Sequence, residues 1–196
     1  MKGTQMARPV EFDAEEALGA ATRVFASHGY EGSSTAELLA RMGIARQSLY
    51  AAFGDKRRLF LKALERYNAA SVAEFVAALG SKRDRLDALE AALLAFAKLG
   101  AEPDTGCLGL GSITEFGRSD AEINAINDAS ARTLLTALAT HIGDGVAASE
   151  MGDVDPQEAA HFLLAIRSGL KVAARSGAGF DALRAIAQMA LRSLRA

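Results

Sequence analysis

Apolar residues recur along this chain at three- and four-residue intervals, and the interruptions fall at glycine, proline or a residue able to cap a helix. The first such stretch opens at Asp13, with Glu16 three residues on in a capping-box pattern. It carries Ala17, Leu18, Ala21, Val24 and Phe25 on one face and ends at Gly29, where a left-handed residue is wanted. Ser34 with Glu37 repeats the capping box for a second helix, whose inner face is Leu38, Leu39 and Met42. Gly43 ends it, and Ile44 is expected to pack inward from the turn. A third, short helix is predicted over Arg46 to Phe53, with Leu49 and Phe53 facing the core and Gly54 breaking it. Asp55 then caps a long fourth helix from Lys56 to about Leu79, with Leu59, Phe60, Ala63, Leu64, Tyr67, Val72, Phe75 and Val76 along it.

Past Gly80 and Ser81 the same period predicts helices near 82–99, 107–117, 121–147, 156–176 and 181–195. Pro156 after Asp155 is a cap followed by proline at the first helical position. No alternating strand pattern of any length, internal repeat or low-complexity tract interrupts this series. The expected fold is therefore all-α. Its N-terminal unit, residues 1–54, is an arm followed by a three-helix helix-turn-helix domain. Residues 55–196 form a helical body, and the helix over 55–79 joins the two.

Composition changes this picture little. Half of the 196 residues are hydrophobic, which suffices for a sizeable core, and tryptophan is absent. A net charge of −2 and a pI near 6.0 argue neither for nor against nucleic acid, so any DNA binding must come from a local basic patch. Cys107 is the only cysteine, so no intrachain disulfide can form and a reducing cytoplasm fits. No apolar run approaches the roughly 18 residues that a membrane helix needs. Met1 to Pro9 lacks the apolar stretch of a secretory signal and reads as a flexible, mildly basic arm.

The segment Ser34 to Phe53 carries the most specific chemistry. It is helix, glycine-containing turn, helix, and the second helix leaves Arg46, Gln47, Ser48 and Tyr50 outside. Arg can grip guanine bidentately and Gln can pair with adenine, while Tyr and Ser bond phosphate oxygens. Ser34 offers a hydroxyl beside free backbone N–H groups, a natural phosphate clamp. Lys56, Arg57 and Arg58 cluster at a helix start, where cations oppose the helix dipole. A phosphate partner explains them better than helix stability does, for Lys56 above all.

Residues 12–60 resemble the DNA-binding domain of the TetR family of bacterial regulators. The resemblance runs through Phe25-Ala26-Ser27-His28-Gly29-Tyr30-Glu31-Gly32, Ser34, Met42 to Lys56, and Leu59-Phe60. It implies that Tyr50 and Lys56 contact phosphates and that Arg46 and Gln47 face the groove. Two positions depart from the family's habit: Ala45 stands where Ser or Thr is usual before the recognition helix, and Gln47 where a small residue or proline is common. Gly106-Cys107-Leu108 and the stretch Gly169 to Ala178 look like one subgroup of these regulators. The resemblance further implies that the last two helices pair with their copies in a second subunit. Phe162, Ile166, Gly169, Leu170 and Ala173 give one apolar face for that purpose, and Leu183, Ile186, Met189, Ala190 and Leu194 another.

The implied function is a DNA-binding transcriptional regulator, a ligand-responsive repressor that binds a near-palindromic operator as a homodimer. Its partners would be double-stranded operator DNA, a second copy of itself and a small-molecule effector. Candidates for an effector pocket are Phe75, Phe96, Cys107, Leu110 and Phe116, although buried aromatic and aliphatic residues at helical spacing commonly serve as plain core. Cys107 reads more readily as a small buried hydrophobe than as a redox sensor. His28, His141 and His161 lack metal-ligand spacing, and Gly106, Gly109 and Gly111 lack the Lys-Ser/Thr and preceding strand of a phosphate loop. No cofactor or metal site is expected, and no Ser/His/Asp set or paired carboxylate recommends catalysis. The competing reading is a helical ligand-binding or interaction module without operator recognition, to which Ala45 and the neutral-to-acidic charge lend support.

Overall fold

The computed structural model describes residues 12–98 and 106–195; the arm from Met1 to Pro9 lies outside the described residues. Every element described is a helix: α1 (Ala14–His28), α2 (Thr35–Met42), α3 (Arg46–Phe53), α4 (Lys56–Leu79), α5 (Arg85–Lys98), α6 (Leu108–Phe116), α7 (Ala121–Ala147), α8 (Pro156–Arg175) and α9 (Phe180–Arg192). None of them is long and apolar enough to cross a membrane.

Capping side chains fix most of the starts. Asp13 accepts from Glu15 N and Glu16 N at 2.8 and 3.1 Å. Ser34 accepts from Glu37 N at 3.1 Å, Asp55 from Arg58 N at 2.8 Å and Asp120 from Ile123 N at 3.1 Å. Asp155 accepts from Gln157 N and Glu158 N, with Pro156 following. Each such cap stabilises its helix by about 1 kcal/mol. The start of α5 differs from the sequence expectation: the Asp84 carboxylate accepts from Asp87 N at 2.9 Å and sets the first turn at Arg85 rather than near 82. Only half of the capping box at α2 is used, because the Glu37 carboxylate lies 3.4 Å from His28 Nδ1 rather than turning back on the cap.

Two apolar cores follow. One lies under α1, α2 and α3 and is built from Leu18, Phe25, Leu38, Leu49, Phe53, Leu59, Phe60 and Leu64, among others. The second lies among α5, α7, α8, α9 and the far half of α4, where Phe75 and Leu79 meet Leu89, Leu93, Leu138, Ile142 and Leu163. The two ends of α4 thus belong to different cores. Leu108 of α6 and Ile123 of α7 complete the first core, so the packing of α1 to α3, the head, continues beyond Gly54 into the helices of the body.

Candidate functional site

The outer side of the head is built around α3. Leu49 and Phe53 point inward at 1% and 5% exposure, and that anchoring turns Arg46, Gln47 and Tyr50 to solvent. Ser48 is half-buried beside them. Ala45 occupies the N-cap position and makes no side-chain bond to the first turn of α3. Ser34 is exposed, and its Oγ, engaged as an acceptor by Glu37 N, keeps its O–H for an outside acceptor. Lys56 extends over the Tyr30 ring, Nζ 4.3 Å from the centroid, which holds the cation at the edge of this surface.

Arg57 is committed elsewhere. It meets the Asp120 carboxylate through both terminal nitrogens, at 2.7 and 2.9 Å, and Glu122 at 2.8 Å. These bonds raise the Arg57 pKa further, while the same guanidinium and the Ile123 N–H hold Asp120 below the usual carboxylate range. The basic run at the start of α4 is therefore divided, and Arg57 joins α4 to α7.

A second joint lies at the turn after α1. Glu115, on α6, accepts from Tyr30 N at 2.9 Å and from Glu31 N at 2.8 Å. Gly29 makes room for it: φ is +73°, and a Cβ there would come within 2.8 Å of the Glu115 carboxylate. Phe116 packs 5.8 Å from both Tyr30 and Phe60, in an aromatic group that Phe25 completes. The end of α6 is thereby held to the head by charge-assisted hydrogen bonds and aromatic contact.

The other end of α6 borders a cavity of about 160 Å³ in the body. Its walls come from Tyr67, Asn68, Ser71 and Val72 of α4, Phe96 of α5, Cys107, Gly109, Leu110 and Ile113, and facing residues of α7 and α8 that include Asn127, Leu134, Leu164 and Arg167. A chain of polar groups crosses one side. Asn68 donates to Asn127 at 3.0 Å, Asn127 donates to the Ser112 hydroxyl at 3.0 Å, and Ser112 donates to Gly109 O at 2.8 Å. Burial, aided by neighbouring Cys107, pushes the Tyr67 hydroxyl well above its usual range and keeps it neutral. Arg167 and Lys171 are also buried here. Among the described residues no group of three or more His, Cys, Asp or Glu side chains could hold a metal ion.

Two family models match: bacterial regulatory proteins of the tetR family over residues 17–63, and the tetracyclin repressor-like C-terminal domain over residues 83–194. The chain belongs to the TetR family. The HTH-type transcriptional repressor ComR of Escherichia coli is 32% identical over 196 residues, covering 94% of this chain and 90% of ComR. The uncharacterized HTH-type regulator YezE of Bacillus subtilis is 45% identical over 84 residues, 41% of this chain and 43% of YezE. A cysteine mutant of the TetR-family regulator CifR, solved with 26-bp operator DNA, superposes with a TM-score of 0.78 at 29% identity, covering 96% of this chain and 100% of that one. This TetR-family chain is a DNA-binding transcriptional regulator, and the proteins it resembles are regulators rather than enzymes.

Of the sequence-derived pocket residues, Phe96, Cys107 and Leu110 come together at the cavity. Phe75 lies deeper in the body core, and Phe116 sits at the joint between head and body, drawn there by the Tyr30 and Phe60 rings. The two apolar faces read on the last helices divide between the inside and the outside of the chain. Leu170, Leu183, Ala190 and Leu194 are turned into the chain's own core, at 0%, 3%, 4% and 1% exposure, because α8 and α9 pack on α5 with those stripes. Ile166 and Ala173 are half-buried at the margin of that core. Phe162, Gly169 and Ile186 remain outside, and with Val172 and Met189 they make the outward apolar strip.

Sequence reasoning passed over Arg167 and Lys171. A signal was available, since both fall on the same helical period as Ala160, Leu163 and Ala174 and so on the inner side of α8.

Proposed function

We propose that this regulator is a ligand-responsive repressor that binds a near-palindromic operator as a homodimer and leaves it when a small molecule enters the body cavity. The observation that carries this reading is the span of α6. Within nine residues it runs from the cavity wall at Leu110 and Ile113 to the head contacts of Glu115 and Phe116. A ligand that moves the near end of α6 must either move the head or break the bonds that Glu115 makes to it.

On DNA, Arg46 and Gln47 reach base edges in the major groove, while Ser34, Ser48, Tyr50 and Lys56 contact phosphates. Two recognition helices related by the dimer axis occupy successive grooves, roughly 34–36 Å apart or a little more. The outward strip of α8 and α9 supplies the dimer contact, in keeping with two-fold closure of like faces. If the effector prefers the head spacing that does not fit the operator, its binding lowers operator affinity by the same factor that DNA lowers effector affinity. The units of this mechanism are the head, residues 1–54, and the body, residues 55–196, with α4 between them. The chain works in the cytoplasm and catalyses nothing.

The test is selection of genomic fragments by the purified protein, followed by footprinting and a salt titration on the tightest fragment. A two-fold symmetric protected site is expected, with affinity falling steeply as salt rises. Replacing Tyr50 and Lys56 together by Ala should weaken binding at least tenfold and flatten the salt dependence, with the helical melt retained. Sequence-indifferent binding by the unaltered protein would refute operator recognition.

A further inference from the structure

We propose that the body cavity takes a small organic acid, an apolar group about the size of one ring bearing a single carboxylate, and that Arg167 binds the carboxylate. This inference rests on the ligand-responsive reading above and names the chemistry of its effector.

Arg167 projects from the inner side of α8 and is 6% exposed. Its guanidinium carbon lies 3.4 Å from the Phe96 ring centroid and 5.2 Å from that of Phe75, and Nη2 donates to the Ser71 hydroxyl at 2.8 Å. Nε is buried and finds no acceptor. Four residues on, Lys171 is fully buried, its Nζ donating to Phe96 O at 3.1 Å and lying 4.6 Å from the same ring. Among the described residues the buried polar and charged side chains are Ser33, Asn68, Ser112, Arg167 and Lys171, so two buried cations have no buried carboxylate beside them.

Ring contact and one hydroxyl compensate part of the cost of burying a guanidinium; they leave a charged N–H donor without an acceptor. Burial lowers the Arg167 pKa to about 10, which keeps the group protonated at neutral pH. Lys171 is lowered for the same first reason, with further opposition from neighbouring Arg167 and Arg175. An anion entering the cavity would meet a fixed positive charge in a low-dielectric setting, where pairing is strong. A purely structural arginine would be expected to direct its spare N–H at a carbonyl or carboxylate of its own chain.

The remaining walls select the rest of the ligand. Leu110, Ile113, Leu134 and Leu164 present hydrocarbon beside the polar Asn68, Asn127, Ser130 and Ser168, a mixture that suits an apolar body rather than a fully hydrated inorganic anion. A volume of about 160 Å³ matches the order of a cavity that holds one benzene ring.

The experiment is calorimetric titration of the full-length protein at pH 7 with benzoate, phenylacetate and hexanoate, each beside its uncharged amide. At least one acid should bind with a Kd below about 1 mM, and about tenfold or more tighter than its amide. Arg167→Met, similar in reach and without charge, should make acid and amide equal, with the helical melt retained. Arg167→Lys should keep part of the preference for the acid. The inference is overturned if no acid binds, if the amides match the acids on the unaltered protein, or if Arg167→Met keeps the preference.

Inorganic phosphate or sulfate competing as well as the acids would overturn the apolar part of the assignment. The double variant Glu102→Gln with Asp104→Asn, two carboxylates outside the described residues, should change acid affinity less than twofold. A tenfold tightening would mean that the chain's own carboxylate fills the place, which also overturns the inference. Operator release, followed separately by fluorescence anisotropy, keeps the two readings apart. Acids that bind without releasing DNA would refute the coupling and leave the site. Amides that bind and release DNA would refute the site and leave the coupling.

Discussion

Ala45 begins the recognition helix without a side-chain cap, while Ser34, Asp55 and Asp13 each bond the first turn of the helix they precede. The backbone at Ala45 already has the extended geometry of an N-cap, with φ −74° and ψ 156°. A serine there would need no rearrangement to accept from the first turn of α3. Ala45→Ser is therefore expected to stabilise the protein by about 1 kcal/mol, which for a chain of this size is roughly 2–4 °C in Tm. Thermal melts of the two proteins at equal concentration check this, and an unchanged or lowered midpoint counts against the assignment of Ala45 as the uncapped start. The missing cap was legible from the residue type alone, because capping is a local rule. The buried cations were not, because an Arg or Lys in a helix is read as outward by default. Only the positions of Leu163, Leu170 and Ala174 around Arg167 and Lys171 reveal that they lie on the inner side.

At the scale of elements, α4 meets α7 through Arg57 and Asp120, a pair that also begins α7, since Asp120 accepts from Ile123 N. Asp120→Asn keeps a side chain able to cap α7 and removes the charge, which isolates the ion pair. Both partners are partly solvated, at 37% and 17% side-chain exposure, so screening limits the loss to about 0.5–1 kcal/mol near neutral pH. The sign with pH follows from Asp120 having a lower pKa folded than unfolded. Its contribution is fully present above about pH 4, the unfolded value, and disappears as pH falls through the lower folded one. Urea midpoints of the two proteins should differ at pH 7 and converge towards pH 3; a difference that persists in acid would assign the effect to something other than this pair.

Among the described residues, helix existence and type were readable throughout, since each element has its own apolar period and its own boundary residues. Which of two apolar stripes on α8 and α9 faces inward was not, because each stripe is hydrophobic enough for either side and the choice is made by other helices, α7 and α5 for α8 and α5 for α9. The position of Phe116 was lost for a similar reason: its partners Tyr30 and Phe60 belong to the head.

For the whole molecule, the strip of Phe162, Val172, Ile186 and Met189 is the feature that one chain leaves incomplete. These side chains are 43%, 56%, 40% and 62% exposed, on adjoining helices, and Gly169 between them lets another backbone approach. If this strip is where two copies meet, charges at its centre should separate them without disturbing either core, since neither Val172 nor Met189 is buried in its own chain. Val172→Glu with Met189→Glu is expected to give a helical monomer by sedimentation velocity, with a cooperative melt. The consequence for DNA distinguishes the dimer from a head that acts alone. In a dimer the second recognition helix binds at the high effective concentration set by the first, a gain of about 10²–10⁴ over one half-site. The double variant should therefore bind the full operator at least ~100-fold more weakly while binding a single half-site as the unaltered head does. Retained full-operator affinity in a demonstrated monomer would show that one head suffices, and a variant that stays dimeric would place the interface on another face of the body.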